Sequence, residues 1–363
     1  MGIKEIDFKQ FPTTRYQGSK RKILPWLHAA FKELRFTTAL DACGGTASVS
    51  YLLKKMGKEV TYNDKLHFNY LIGKAIIQNP RYKLSEEDVI ELKRSKPEIE
   101  YDNLIARNFE NIYYLPEENN WLDNMANNIV NMNHYHGSVL EYKKAIAYYA
   151  LFQSSIIKRP FNLFHRNNLD IRTNDVERNF GNKTTWDKSF KDHFKKFIDE
   201  ANSLIFNSGK PCLALNESIL EIDPYGYQMV YIDTPYLRKD GSNESSNYLR
   251  CYHFLEGLSK YEEWENLIDF DSINLRLAQV EEQNDFKKEN IHETFEKIIE
   301  KFKKSKIVLS YKFGGIPSIA FIVKTMKKHK KNVRTVSTPY NYALNHNNGD
   351  AKKNNREVLI IGS

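Results

Sequence analysis

The chain has 363 residues, 41% of them hydrophobic and 28% charged, and its 54 basic residues exceed its 46 acidic ones by eight. This composition excludes a globally disordered chain, and no apolar run is long enough for a membrane-spanning helix; Cys43, Cys212 and Cys251 are too few and too scattered for a disulfide framework or a four-thiolate zinc site. The length suits one large domain or one core with an insertion, the residues near Met1 show no apolar signal core, and a reducing, cytoplasmic setting is expected, while the basic excess beside 22 Tyr and 21 Phe favours a polyanion with stackable bases.

In chain order, Arg15-Tyr16-Gln17-Gly18-Ser19-Lys20 reads as a turn before a helix over 22–34. It is either a solvated basic turn or a clamp that closes over an anionic group. Apolar runs at 38–40, 59–62, 212–215, 229–232, 307–311 and 358–361 read as buried strands. Helices are expected over 47–56, stopped by Gly57 as a C-cap, over 142–158, where Ala145, Tyr148, Phe152 and Ile156 recur at helical spacing, and over 291–304. Strands alternating with helices predict an α/β fold with a mostly parallel sheet. Asp64 and Cys212 lie 148 positions apart, whereas a strand–helix–strand unit takes about 30 residues. Residues 81–210 are therefore expected to form a largely helical insertion between two catalytic segments, 1–80 and 211–363. A second surplus over 238–300 is expected to be mixed, then helical, with no role assigned.

Three strand ends carry chemistry. Asp41-Ala42-Cys43-Gly44-Gly45-Thr46-Ala47 runs from a strand through a glycine turn into a helix, which lets a ligand approach the backbone and a helix N-terminus. Asn63-Asp64 ends the second strand, with Asp64 23 positions after Asp41, the offset at which a carboxylate holds ribose hydroxyls in nucleotide-binding α/β sites. Together these point to a nucleoside-containing cofactor; the plainer readings are a simple turn and a helix cap. Asp233-Thr234-Pro235-Tyr236 follows the strand Met229–Ile232 and offers a carboxylate, a backbone carbonyl and an aromatic ring to a flat, amine-bearing base, or is an ordinary loop. The histidines show no ligand spacing, so no metal is expected.

In this order the motifs resemble the Dam-like class of adenine-N6 DNA methyltransferases, at Tyr16 to Lys20, Asp41 to Ala47, Asp64, the 81–210 insertion and Asp233 to Tyr236. The strands around Leu309-Ser310-Tyr311 and Arg356-Glu357-Val358-Leu359 also resemble the family. Cys43 stands where the family has Phe, Ala47 where it has a last Gly, and Thr234 where it has the first Pro of Asp-Pro-Pro-Tyr.

The resemblance implies a Rossmann-like methyltransferase fold with an inserted target-recognition region. It implies S-adenosylmethionine as cofactor, held by Tyr16, Gly18, Ser19, Lys20, Asp41, Cys43, Gly44, Gly45, Thr46 and Asp64, with Lys20 on the cofactor carboxylate. Direct methyl transfer to an adenine amine is implied at Asp233, Thr234, Pro235 and Tyr236. Double-stranded DNA is the implied partner, in a bacterial or phage restriction–modification system with a cognate endonuclease. DNA contacts are assigned to the basic, aromatic-rich second half of the insertion, which also holds Lys158, Phe161, Phe164, His165, Arg178 and Trp186. They are Arg159, Asn162, Arg166, Asn168, Arg172 and Lys183. An RNA adenine methyltransferase and an inactive DNA-binding subunit are the alternatives.

Overall fold

The computed structural model describes residues 6–13, 15–174, 183–237, 247–278, 284–340 and 356–363. Arg178 and parts of the 238–300 stretch, 238–246 and 279–283, lie outside the described residues. Among the described residues a seven-stranded sheet has the order β3-β2-β1-β4-β5-β7-β6. The strands are β1 (Thr38–Asp41), β2 (Glu59–Asn63), β3 (Cys212–Leu215), β4 (Met229–Ile232), β5 (Lys306–Lys312), β6 (Val333–Pro339) and β7 (Arg356–Gly362). Strands β1 to β5 run parallel, and β7 is antiparallel to both of its neighbours.

The side-chain period of two sorts the strands onto two faces. Met229, Tyr231 and Val308 join one apolar cluster; Val230, Ile232, Ile307 and Leu309 join the other. Both faces are covered, which is why β4 is buried at every position and reads as a continuous apolar run. Strand β6 escaped the sequence reading because it pairs with one neighbour at the edge, where no residue is fully buried and Val333 and Val336 are its only aliphatic side chains. The other six expected strands form within about two residues of their expected ends, and the helix Ser48–Lys55 ends at Gly57, whose φ of +70° and bond to the Lys54 carbonyl close it.

The described residues of 81–210 are largely helical, as expected, and pack against the rest of the chain. The helix Gly137–Ile157 is buried on nearly all sides from Lys143 onward and packs on the helices His67–Gly73 and Phe190–Leu204. Its side chains share one apolar cluster with Phe31 and Tyr231 at the sheet. The 238–300 stretch divides between the faces. The helix Tyr248–Leu258 packs into that same cluster, whereas Ile291–Lys301 covers the opposite face through Phe295, Ile298 and Ile299.

Strand order reverses between β1 and β4, since the chain leaves β1 toward β2 and β3 and returns through β4 toward β5. In parallel α/β sheets, ligands bind at such a switch point, beyond the carboxyl ends of the strands. Asp41, Asp64 and Asp233 each stand at or just past one of those ends.

Candidate active site

Strand β1 ends at Asp41, which is 1% exposed. Its Oδ2 accepts the Ser50 hydroxyl at 2.7 Å, while its Oδ1 is buried with no partner. Burial pushes its pKa up to about 7. The turn that follows is fixed by close packing. A Cβ on Gly44 would stand 2.1 Å from the Tyr62 ring, so only glycine fits there. The Gly44 N–H donates to the Asn63 carbonyl at 2.8 Å and the Tyr62 hydroxyl donates to the Gly45 carbonyl at 2.8 Å, tying the turn to β2. Ala47 takes a left-handed backbone, φ +59°, directly before the helix. That conformation costs a Cβ-bearing residue about 1 kcal/mol, so the alanine is tolerated in a glycine's place.

Asp64 is neither a helix cap nor a solvent-facing carboxylate. One oxygen accepts the Leu66 N–H at 2.9 Å and the other the Gly45 N–H at 2.9 Å, so it pins the glycine turn from β2. Burial raises its pKa to about 6, against the lowering effect of those bonds. Each carboxylate oxygen has a second lone pair, which leaves capacity for a ligand's hydroxyls.

In the N-terminal turn Arg15 is exposed and Lys20 is buried. Lys20 is 4% exposed, and its ammonium donates to Asp233 at 2.8 and 2.7 Å, to the Gly18 carbonyl at 3.3 Å and to the Tyr236 hydroxyl at 3.0 Å. Burial pulls the Lys20 pKa down, but Asp233 and Glu357 outweigh it and raise the value well above that of a free lysine. Burial raises the Asp233 pKa, with Lys20 opposing. The expectation that Lys20 serves a cofactor carboxylate is therefore corrected: the ammonium is already shared by two protein carboxylates, Asp233 and Glu357, the latter at 3.5 Å.

The Tyr236 hydroxyl lies 2.7 Å from both Asp233 and Glu357, which share its single proton, and its ring meets Tyr311 edge-on. Thr234 is buried, and its hydroxyl finds no partner. Tyr16 stacks on Tyr252 with ring centres 4.4 Å apart. Burial pushes the Cys43 thiol well above its ordinary pKa, so it stays a neutral wall.

All fourteen residues named for cofactor and chemistry line one cleft: Tyr16, Gly18 to Lys20, Asp41, Cys43 to Thr46, Asp64 and Asp233 to Tyr236. Sequence reasoning missed Glu217, Tyr248 and Phe286, which also line it, and Glu357, which stands behind it. Glu217 follows the end of β3 as Asp41 ends β1, so the strand-end rule could have found it. Tyr248 and Phe286 come from the second surplus and carried no signal.

The residues assigned to DNA divide. Arg159 is 1% exposed, and its guanidinium donates to the carbonyls of Leu163 and Tyr113, both at 3.2 Å, and of Arg166 at 2.7 Å, over the rings of Tyr113 and Phe164. Burial pulls its pKa down to about 10. Arg172 grips Glu118 through two bonds of 2.9 and 2.8 Å, and Lys158 reaches the same carboxylate at 2.6 Å. Arg159 and Arg172 are thus internal struts, and their assignment to DNA is corrected. Arg166 and Lys183 are exposed, and Asn162 and Asn168 are half-buried with left-handed backbones, φ +59° and +53°. No group of three or more metal-ligating side chains occurs among the described residues, nor any helix long and apolar enough to cross a membrane.

Comparison with known proteins gives two findings. The model of the D12 class N6 adenine-specific DNA methyltransferase family matches residues 16–270. The chain is also 26% identical over 359 residues to the Type II methyltransferase M2.HphI of Haemophilus parahaemolyticus, covering 97% of this chain and 98% of that relative.

Proposed function

The chain belongs to the D12 class of N6 adenine-specific DNA methyltransferases, and on that premise we propose that it transfers the methyl group of S-adenosylmethionine to one adenine of a specific duplex sequence, as the modification enzyme of a restriction–modification system. The observation that carries this reading is the Asp233 carboxylate clamped by buried Lys20 at the sheet's switch point, beside a glycine turn flanked by Asp41 and Asp64. The partner implied is duplex DNA, with a cognate endonuclease acting on the same sequence.

The residues fit the cofactor. The unpartnered Asp41 Oδ1 suits an amino-acid ammonium, and Asp64 retains lone pairs for a ribose diol. When bound, S-adenosylmethionine supplies a methyl group on a positively charged sulfur. The protein orients the acceptor. Asp233 and the Thr234 carbonyl take the two N–H bonds of the target amine and free its lone pair from the ring. This is positioning and electrostatics with no covalent intermediate. Taking adenine out of the stack costs a few kcal/mol, and stacking on Tyr236 returns about 1–3 kcal/mol.

Cofactor affinity, followed by calorimetry, should weaken as pH falls from about 8 to about 5, because Asp41 with a pKa of about 7 and Asp64 with one of about 6 must be ionised to bind an ammonium and a diol. Asp64→Ala should weaken binding at least about tenfold at neutral pH. Unchanged affinity in that variant removes Asp64 from the site. On the DNA side, Arg166→Glu and Lys183→Glu should lower DNA affinity and reduce the salt slope by about 0.9 per lost phosphate contact, with cofactor affinity intact. Wild-type salt dependence in both variants would move the DNA interface away from this segment.

A further inference from the structure

Strand β5 ends at Lys312, on the same edge of the sheet as the ends of β1, β2 and β4, and the chain turns there through Lys312-Phe313-Gly314-Gly315. The Gly315 N–H donates to the Lys312 carbonyl at 3.3 Å and Gly314 has φ +80°, the pattern of a type II turn with Phe313 at its first central position. Such a turn calls for glycine at the second central position and for nothing aromatic at the first. The residue there is nevertheless a phenylalanine, and it is 58% exposed. The turn is braced against the catalytic segment in two ways. A Cβ on Gly315 would stand 2.8 Å from the Tyr311 ring, so the turn lies against that ring, which meets Tyr236 edge-on with centres 5.4 Å apart. The Ile316 N–H donates at 3.2 Å to the carbonyl of Leu237, the residue directly after Tyr236. The Phe313 N–H donates at 3.1 Å to the carbonyl of Arg356, an exposed residue. The apex thus presents an aromatic ring beside Lys312 and Arg356, at the ligand edge of the sheet and outside the lining of the cleft.

We infer that Phe313 is a wedge for duplex DNA, a ring that enters the base stack where the target adenine leaves it. This rests on the reading that the protein methylates adenine in duplex DNA. Taking one base out of the helix strips its two neighbours of a stacking partner, and an apolar side chain inserted between base steps restores contact. Such a side chain has to be exposed before the DNA arrives, because a core residue cannot be withdrawn. It has to be held in place, because a ring ordered only on binding loses entropy. It also has to stand near the groups that receive the base. Phe313 meets all three conditions: it is exposed, its turn is fixed by Gly314, Gly315 and backbone bonds to Lys312, Leu237 and Arg356, and Tyr311 links that turn to Tyr236. Lys312 and Arg356 add positive charge beside the ring, which suits the phosphates that flank a vacated base position.

The test is Phe313→Ala, which removes the ring from an exposed position and leaves the core untouched. Single-turnover methyl transfer from S-adenosylmethionine is measured on two duplexes of the sequence that the wild-type protein methylates. One is fully paired, and the other has an abasic position opposite the target adenine. On the paired duplex Phe313→Ala should be slower by at least about fivefold, the effect of losing one aromatic stacking contact. On the second duplex the adenine has no pairing to lose, and the variant should come within about twofold of wild type. Phe313→Tyr keeps the ring and should stay within about twofold of wild type on both. Cofactor affinity by calorimetry should be unchanged in both variants. A wild-type rate for Phe313→Ala on the paired duplex overturns the inference. Equal slowing on both duplexes also overturns it, because a turn that only braces Tyr236 would matter whether or not the adenine is paired. A Phe313→Tyr protein as slow as Phe313→Ala does the same. A wild-type protein that methylates no adenine in any duplex defeats the underlying reading and the wedge with it, whereas a fully active Phe313→Ala defeats only the wedge.

Discussion

Asp233→Ala is expected to abolish methyl transfer while the protein stays folded and binds cofactor. The carboxylate is the side-chain acceptor for the target amine, and no other side chain on the β4 turn can replace it, since Thr234 offers a neutral hydroxyl and Pro235 no polar side chain. Losing a catalytic acceptor of this kind typically costs a factor of about 100 to 10,000 in rate. The fold should survive because Lys20 keeps a counter-charge in Glu357 at 3.5 Å, so no buried cation is stranded. Cofactor affinity should survive because Asp41, Asp64 and the glycine turn are untouched. Labelled methyl transfer to duplex DNA, with calorimetry and circular dichroism on the same preparation, measures all three. A folded Asp233→Ala protein with near wild-type turnover would defeat the proposed chemistry.

Arg159→Ala should act on stability and not on recognition. The substitution strips the donors from the carbonyls of Tyr113, Leu163 and Arg166 and removes a cation that lies over the rings of Tyr113 and Phe164. Buried groups left without partners cost about 1–3 kcal/mol each before relaxation, so a loss of about 3 kcal/mol or more is expected in urea denaturation. At a temperature where the variant remains folded, its DNA affinity should match wild type. Wild-type stability with weakened DNA binding would instead return Arg159 to the DNA surface.

These two residues mark what could be read from the chain and what could not. Asp233 was readable because strand chemistry is local. A fully apolar run announces a central parallel strand, and the polar residue that ends it must emerge at the ligand side of the sheet. The same logic found Asp41 and Asp64, and it would have found Glu217 had it been applied to the end of β3. Arg159 was misread because a basic residue among aromatic and asparagine residues looks the same in sequence whether it faces phosphate or is folded inward onto carbonyls. Only the return of Tyr113 and the 163–166 turn around it decides the matter. Lys20 shows a middle case. Its membership of the site was readable, but its partner lies 213 positions away and became visible only once β4 stood beside β1. The way the 81–210 insertion packs was not readable for a similar reason. A helix as uniformly buried as Gly137–Ile157 is enclosed by other helices, His67–Gly73 and Phe190–Leu204 among them, and shares their apolar cluster.

Nucleoside mass spectrometry of duplex DNA incubated with the protein and S-adenosylmethionine is the most direct test that this chain uses Asp233 and its neighbours to methylate adenine. The expected product is N6-methyladenine at a single recurring sequence context, present with the wild-type protein and absent with Asp233→Ala. Methylated cytosine in its place, methylated adenine in RNA but not in duplex DNA, or an equal yield from Asp233→Ala would contradict it.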